Sequence, residues 1–352
     1  MKNRRLLFVL WSRSEFGGLE RRYLRLARFL AQQNNVCVEL ICQARALQSV
    51  DAIVGGSPVV RKHVRGSARI PWNPVKRVHE LISIALMVRR SIRQDVVFCG
   101  NPGFIAGILA VSKRSAQSLI VPNALLFVDL PLGFLDHIGL ILMKVFGASL
   151  DHLSEEPEQV FKRLVSDGGK QLRHHIAPCS FTDYSAVKSR KVRDIDILML
   201  ARFVDGKGYD LLESIDEHLQ PYNAHFCGFG PRQIDTPNAE VYKADRPFDL
   251  LGRTKIFLSL QKGNNYPSQS LLEAMASGCA IIATDVGETR KILDESRAIL
   301  IPYDADALRM AVCNLIEDTE LTQRLAKNAR DFVLTHQTVH SYAQYFLDEA
   351  LP

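Results

Sequence analysis

The stretch Gln261–Arg290 reads QKGNNYPSQSLLEAMASGCAIIATDVGETR, and it decides the fold class. Leu271, Leu272, Met275 and Ala276 recur at helical spacing, and Pro267 and Ser268 just ahead of them suit a helix start. Gly278 is placed to stop that helix. Ala280-Ile281-Ile282-Ala283 is a short apolar run of the kind that forms a strand buried on both faces. Loop, helix, strand and glycine loop in this order make half of a nucleotide-binding α/β domain, with a helix N-terminus opening onto the loop. Glu273 lies within two turns of that N-terminus. It has two readings, a solvated helix glutamate or a carboxylate that grips a ribose diol through paired acceptors.

The segment resembles the donor-binding signature of the retaining glycosyltransferases of family 4, which have the GT-B fold. In that family a Glu, seven residues and a second Glu precede Ala-Met-Ala. Here Ser270-Leu271-Leu272-Glu273-Ala274-Met275-Ala276 matches the second half. The first half departs from the pattern, because position 265 is Asn and its neighbour 264 is Asn as well. The resemblance implies that this position contacts the transferred sugar. Neutral Asn264 or Asn265 can hydrogen-bond a sugar hydroxyl but cannot offset developing positive charge.

The chain has 352 residues, enough for two domains of ordinary size, and 47% hydrophobic with 23% charged residues is a globular composition. Seven cysteines lie scattered in apolar surroundings with no metal-type spacing, which points to a reducing, cytoplasmic setting. The opening Leu6–Trp11 run is too short for a signal peptide and lacks a cleavage site, so it reads as a first strand. The net charge of +6 hides an asymmetry: residues 1–180 carry 25 Lys/Arg against 13 Asp/Glu, and the remainder carries 19 against 25. A basic N-terminal half fits either a solubilising surface or peripheral contact with an anionic membrane at its inner face. No motif for nucleic acid accompanies the charge.

Strand and helix alternate along the chain, which implies parallel sheets. Strand one runs into Gly17-Gly18-Leu19-Glu20 and a helix to about Gln32. This Gly-Gly pair resembles the family's first-loop motif near the donor phosphates and the acceptor. Val36–Cys42 reads as strand two, residues 43–73 as short strands and a loop, and Val75–Arg93 as an amphipathic helix. Leu119–Pro122 is a strand, followed by Asn123 where many family members carry a His close to the sugar. Asp136–Ala148 is apolar enough for a core helix or a lipid-touching surface, and the lone Lys144 favours core. Asp151–Glu155 resembles the last strand of the family's first domain. His174-His175 are adjacent on an extended segment and point to opposite faces, which argues against a metal pair.

Ala177–Asp183 resembles the family's interdomain crossover. Beyond it, Ile195–Leu200 is a strand leading into Ala201-Arg202-Phe203-Val204-Asp205-Gly206-Lys207-Gly208. The family has an Arg, four residues and Lys-Gly in this loop. Arg offers a planar fork to two phosphate oxygens and Lys adds a point charge, so the pair can hold a diphosphate without a metal. Of the two Asp-x-Asp spacings, Asp194-x-Asp196 enters a strand and Asp304-x-Asp306 reads as a helix N-cap, so neither suits a cation. Gly228-Phe229-Gly230-Pro231 resembles the family's loop over the nucleotide. It lacks the third glycine of a dinucleotide fingerprint.

These readings converge on an α/β GT-B fold, two facing Rossmann-like domains with an interdomain cleft. The expected division is an acceptor domain over 1–181, a donor domain over 182–334 and a helix over 335–352 crossing back to the first. The resemblance implies sugar transfer from a nucleotide-diphosphate sugar to a saccharide or lipid-linked acceptor, with no cofactor and no metal. Arg202, Lys207, Glu273 and Asn265 are the expected catalytic residues. Gly228, Gly230, Asn264, Ser268, Gln269 and Ser270 are expected around the donor, and Gly17, Gly18, Glu20 and Asn123 on the acceptor side. Binding of a nucleotide sugar without turnover, or a GT-B epimerase acting on the nucleotide sugar itself, are the alternatives.

Overall fold

The structure is a computed structural model that describes residues 4–11, 18–64, 74–91, 94–100, 103–113, 118–122, 133–165, 172–187, 192–243, 247–264, 266 and 268–351. Its contacts divide the chain into two units, Met1–Cys179 with Val339–Pro352, and Ser180–Thr338.

The first unit is built on a seven-stranded sheet in the order β3-β2-β1-β4-β5-β6-β7. The strands are β1 (Arg4–Leu10), β2 (Val36–Gln43), β3 (Val60–Val64), β4 (Asp95–Cys99), β5 (Leu119–Pro122), β6 (Ala148–His152) and β7 (Arg173–Ile176). Every pairing is parallel. A parallel sheet needs both faces covered, and the connecting helices cover them. These are α1 (Gly18–Ala31), α2 (Leu47–Val54), α3 (Pro74–Arg90), α4 (Phe104–Ser112), α5 (Phe134–Val145) and α6 (Glu155–Val165). Leu6 to Leu10 are fully buried, as a central strand between two helical layers requires.

Three readings of this unit are corrected. Residues 47–54 form a helix and not short strands, because Val50 and Val54 at i and i+4 bury one face before Gly55-Gly56 ends it. The last strand is β7, one later than Asp151–Glu155, since β6 ends at His152 and Glu155 already opens α6. That strand lies at the sheet edge and is polar in three of its four residues, so it carries little of the hydrophobic signal that marks a buried strand. Helix α5 is core on one side only: Gly139, Leu140 and Met143 are buried while Phe134, Ile141 and Val145 are exposed.

The chain's last segment closes this unit. Helix Val339–Tyr345 packs on α1, and a π-helical turn follows at Phe346–Ala350. Beneath it the Asp151 carboxylate, 2% exposed, accepts hydrogen bonds from the hydroxyls of Tyr23, Tyr342 and Tyr345, the last at 2.8 Å. Arg4 adds bonds to the carbonyls of Leu347 and Leu351. Burial pushes the Asp151 carboxyl up from its ordinary pKa, and the three hydroxyls pull against that shift. A carboxylate taken out of water is tolerable only with such donors around it.

The second unit holds a six-stranded parallel sheet in the order β10-β9-β8-β11-β12-β13. Its strands are β8 (Ile195–Leu200), β9 (Ala224–Cys227), β10 (Glu240–Tyr242), β11 (Thr254–Ser259), β12 (Ala280–Thr284) and β13 (Ala298–Ile301). Its helices are α7 (Tyr209–Ser214), α8 (Asp216–Leu219), α9 (Pro247–Arg253), α10 (Gln269–Ser277), α11 (Ala305–Glu317) and α12 (Thr319–His336); the C-terminal helix of the first unit is α13. Asp304 caps α11 by accepting from the Ala307 amide at 2.8 Å. Asp194 pairs with Arg253 and Asp196 with Lys255.

Replacing Tyr345 by Phe removes one charge-assisted hydrogen bond to Asp151. It should lower the unfolding free energy by about 1.5–3 kcal/mol in a denaturant titration. An unchanged midpoint would mean that the hydroxyl contributes nothing to holding α13.

Candidate donor site

Strand β8 starts the second sheet, β9 and β10 extend it on one side, and β11 to β13 extend it on the other. The chain therefore reverses direction between β8 and β11. In open α/β sheets ligands bind at such a point, outside the carboxyl ends of the strands. The loops leaving there are 201–208 after β8 and 260–268 after β11.

The two loops are joined at close range. Gly208 has φ +82°, a left-handed conformation, and a Cβ on it would lie 2.3 Å from the Leu260 Cβ and 2.8 Å from the Leu260 carbonyl oxygen. The Lys262 amide donates to the Gly206 carbonyl at 3.0 Å, and the Lys207 ammonium donates to Gln261 Oε1 at 2.9 Å. The first loop is braced from behind. Tyr209 Oη donates to the Ala201 carbonyl at 3.0 Å, and Arg232 binds Asp205 at 2.8 Å and Glu213 at 2.6 Å. Arg232 thereby neutralises the loop's own carboxylate.

Arg202 and Lys207 have no carboxylate partner among the described residues. Burial, with the nearby Arg202 charge acting in the same direction, lowers the pKa of Lys207 to about 8. Two cations left uncompensated, one of them half-dehydrated, form a place where a polyanion is attracted at short range. A cavity of about 360 Å³ elsewhere, against α7 and α8, is lined by Glu213, Asp216, Glu217 and Asp235, and its charge repels a phosphate.

Gly228 and Gly230 follow β9. A Cβ at Gly228 would stand 1.8 Å from the Ala201 carbonyl oxygen, and one at Gly230 would stand 2.1 Å from that of Phe203. These glycines let the 228–231 loop lie against the Arg202 loop, to which it bonds through Phe203 N and Phe229 O at 2.8 Å. Their identity has a local packing cause whatever ligand the loop covers.

Helix α10 opens with Ser268, whose hydroxyl accepts from the Leu271 amide at 3.3 Å and lies 2.8 Å from the Ser270 hydroxyl. At the far end Gly278 takes the left-handed conformation, and Arg193 donates to the Ser277 carbonyl at 2.6 Å. The C-terminal carbonyls are thus satisfied inside the protein, and the positive end of the helix faces the switch-point loops. Glu273 Oε1 accepts from the Thr182 hydroxyl at 3.0 Å, and Gln269 donates to the Phe181 carbonyl at 2.9 Å. Gln269 is therefore engaged with the 180–184 segment. That segment is itself anchored by Ser180 N and Tyr184 Oη, both bonded to Gln337 at 2.8 Å.

Asn264 sits in the loop after β11, and its amide donates to Glu288 Oε2 at 3.2 Å. Glu288 follows Gly287 in the loop after β12 and also pairs with Lys291 at 2.7 Å. A carboxylate thus lies next to Asn264, although it comes from another loop. Gln261, Thr182 and Glu288 were not singled out in the sequence. Their contacts reach across 23 to 91 residues, and no local pattern signals them.

Of the other expected site residues, Gly17, Asn123 and Asn265 lie outside the described residues, as does Pro267. Gly18 begins α1, and Glu20 stands in its first turn at the carboxyl end of β1. Among the described residues no group of three or more His, Cys, Asp or Glu is placed to hold a metal ion. No helix among them is long and apolar enough to cross a membrane.

Residues 209–348 match a family model described as glycosyl transferase-like. The whole chain superposes on HepE of Anabaena in complex with UDP, with a TM-score of 0.74, 15% identity and 99% of each chain covered. It also superposes on sucrose-phosphate synthase of Thermosynechococcus elongatus, with a TM-score of 0.70, 16% identity and 97% of each chain covered. The fold is GT-B. A third solved structure, that of a single-residue mutant of S. aureus TarM in complex with fondaparinux, α-GlcNAc-glycerol and UDP, gives a TM-score of 0.71 at 10% identity over 98% of this chain and 99% of its own. A search of curated proteins finds no match.

The lowered pKa of Lys207 gives a pH test with inorganic pyrophosphate as probe. Below pH 8 the ammonium is charged before the anion arrives. Above it, binding must take up a proton, so affinity falls by up to about tenfold per pH unit. Calorimetry at pH 7 and pH 9 should show this fall in the wild type and a flatter profile in Lys207→Met. Equal pH profiles for the two proteins would remove Lys207 from the anion site.

Proposed function

We propose that the protein is a retaining glycosyltransferase of the family 4 type. It moves a sugar from a nucleotide-diphosphate sugar to a saccharide or lipid-linked saccharide acceptor in the assembly of a cell-surface polysaccharide. The observation that carries the reading is the uncompensated pair Arg202 and Lys207 held at the β8/β11 switch point, with the N-terminus of α10 opening beside it. That combination suits a diphosphate, since two side-chain cations and a helix dipole act on the same charge. Glu273, turned by Thr182, stands on the same helix to accept from the ribose hydroxyls.

In the reaction the bond between the anomeric carbon and the diphosphate oxygen breaks as the acceptor oxygen bonds to the same face of that carbon. The acceptor proton passes to the leaving phosphate. Arg202, Lys207 and the α10 N-terminus stabilise the charge that grows on the diphosphate, which is where fixed donors and cations contribute most to rate. The two cations do this work without a metal or other cofactor. Asn265 and Asn264 hydrogen-bond the transferred sugar, Asn264 being oriented by Glu288. Gly228, Gly230, Ser268 and Ser270 complete the donor pocket, and Gly17, Gly18, Glu20 and Asn123 belong to the acceptor side. The enzyme works in the cytoplasm at the inner face of the membrane.

The likeness to HepE in complex with UDP, and to HepE in complex with UDP-glucose, makes uridine nucleotides the first donors to offer. One observation favours a second reading, binding without turnover. The residues at 264 and 265 are neutral amides, so these two side chains offer no charge to a developing oxocarbenium ion.

The test is turnover with UDP-sugars and a panel of saccharide and lipid-linked acceptors, followed by NMR of the anomeric proton in the product. Transfer with retained configuration is expected, and Arg202→Ala or Lys207→Ala should lower kcat by about 10²–10³-fold. Nucleotide binding with no product from any acceptor would leave the binding-only reading. Release of nucleotide from the donor alone with an inverted sugar would indicate the epimerase.

A further inference from the structure

The proposed reaction draws on the second unit's loops and on Gly17, Gly18, Glu20 and Asn123 of the first, and it leaves one helical face of the first unit unexplained. Helices α3, α4 and α5 each connect one strand to the next in the same direction across the sheet, so right-handed crossovers lay them side by side on one face. The contacts agree, with α3 packing on α4 and α4 on α5. On α3, Val78, Ile82 and Leu86 recur every four residues and are 55, 53 and 46% exposed. On α5, Phe134, Ile141 and Val145 are 80, 59 and 65% exposed. Single exposed apolar residues need no explanation, but two exposed apolar rows on the helices that flank α4, which itself exposes Val111, do.

The solvent-facing charges described on these three helices and just after α4 have one sign, whereas α6, the next helix on this side of the sheet, opens with Glu155, Glu156 and Glu158. Arg89 and Arg90 end α3, Lys144 lies in the last turn of α5, and Lys113 follows α4 and donates to the Gly147 carbonyl at 3.2 Å. Helix α4 has no charged residue. The single acid of α3, Glu80, is 3% exposed and bonded to Arg45 and Gln43. The single acid of α5, Asp136, is half-buried and turned toward the Phe104 amide. Apolar side chains flanked by cations, with every acid on the three helices turned inward, complement an anionic, partly apolar surface.

We infer that the α3–α4–α5 face of the first unit docks on an anionic lipid bilayer, with Phe134, Ile141 and Val145 entering the headgroup boundary and Arg89 and Arg90 contacting lipid phosphates. A second copy of the chain fits the face less well, because a symmetric contact would bring this cationic surface onto itself. The inference deepens the proposed placement at the inner face of the membrane, and none of its residues is assigned to the transfer reaction.

The test is co-sedimentation of the full chain with vesicles of phosphatidylcholine alone and of phosphatidylcholine mixed with phosphatidylglycerol. The wild type should pellet with the anionic vesicles, less so as salt rises, and weakly with the neutral ones. The exposed-site variant Phe134→Ser/Ile141→Ser/Val145→Ser should partition about tenfold less or lower. Arg89→Glu/Arg90→Glu should lose the preference for anionic vesicles. Both variants should keep the wild-type thermal transition and UDP affinity, which separates a docking defect from misfolding and from failure of the donor site. No pelleting of the wild type with either vesicle, or equal partition of wild type and variants, overturns the inference. So does concentration-dependent dimerisation in light scattering that the triple variant abolishes.

Discussion

The candidate site depends on one close approach, that of Gly208 to Leu260. The sheet order alone creates a crevice between β8 and β11, but a crevice binds nothing in particular. Because a left-handed glycine lets the first loop descend onto the end of β11, the Gly206 carbonyl meets the Lys262 amide and Lys207 meets Gln261. The ammonium is thereby drawn into partly dehydrated surroundings next to Arg202, with no carboxylate partner among the described residues. Its depressed pKa is the electrostatic cost of that placement, and an arriving anion relieves it. Arg232 completes the arrangement by taking Asp205 out of play.

A second constraint acts on α10. With nine residues the helix is too short to be stable alone, so packing holds it. Leu271, Leu272 and Met275 are buried against the sheet and α12, and Arg193 and Arg330 donate to the C-terminal carbonyls of Ser277 and Ala276. The 180–184 segment runs beside it and contacts Gln269 and Glu273 directly. Its own anchors lie on Gln337, just beyond α12, so the orientation of Glu273 is tied to the end of this unit. The first unit secures the following residues differently, by gathering three tyrosine hydroxyls on buried Asp151.

Much of this was legible in the sequence where the determinant is local. Ser268 ahead of an apolar helical pattern and Gly278 after it mark the ends of α10, and Asp304 marks the start of α11, because capping is decided within a few residues. The strand over Ile195–Leu200 and the loop with Arg202 and Lys207 directly after it were legible as well. Contacts set by tertiary packing were not legible. Thr182 reaches Glu273 across 91 positions, and Asn264 meets Glu288 from a neighbouring loop. The apolar composition of α5 suggested core, yet only the packing against α4 shows which residues are left facing solvent. Strand β10, with three residues at a sheet edge, is too short to carry a pattern.

The most direct measurement of the central claim is a crystal structure of the protein with UDP bound. The account predicts density for the diphosphate within hydrogen-bonding reach of Arg202, Lys207 and the first turn of α10, with the ribose hydroxyls on Glu273. A nucleotide bound with its phosphates away from the β8 and β11 loops, or bound while Arg202 and Lys207 stay out of contact, would contradict it.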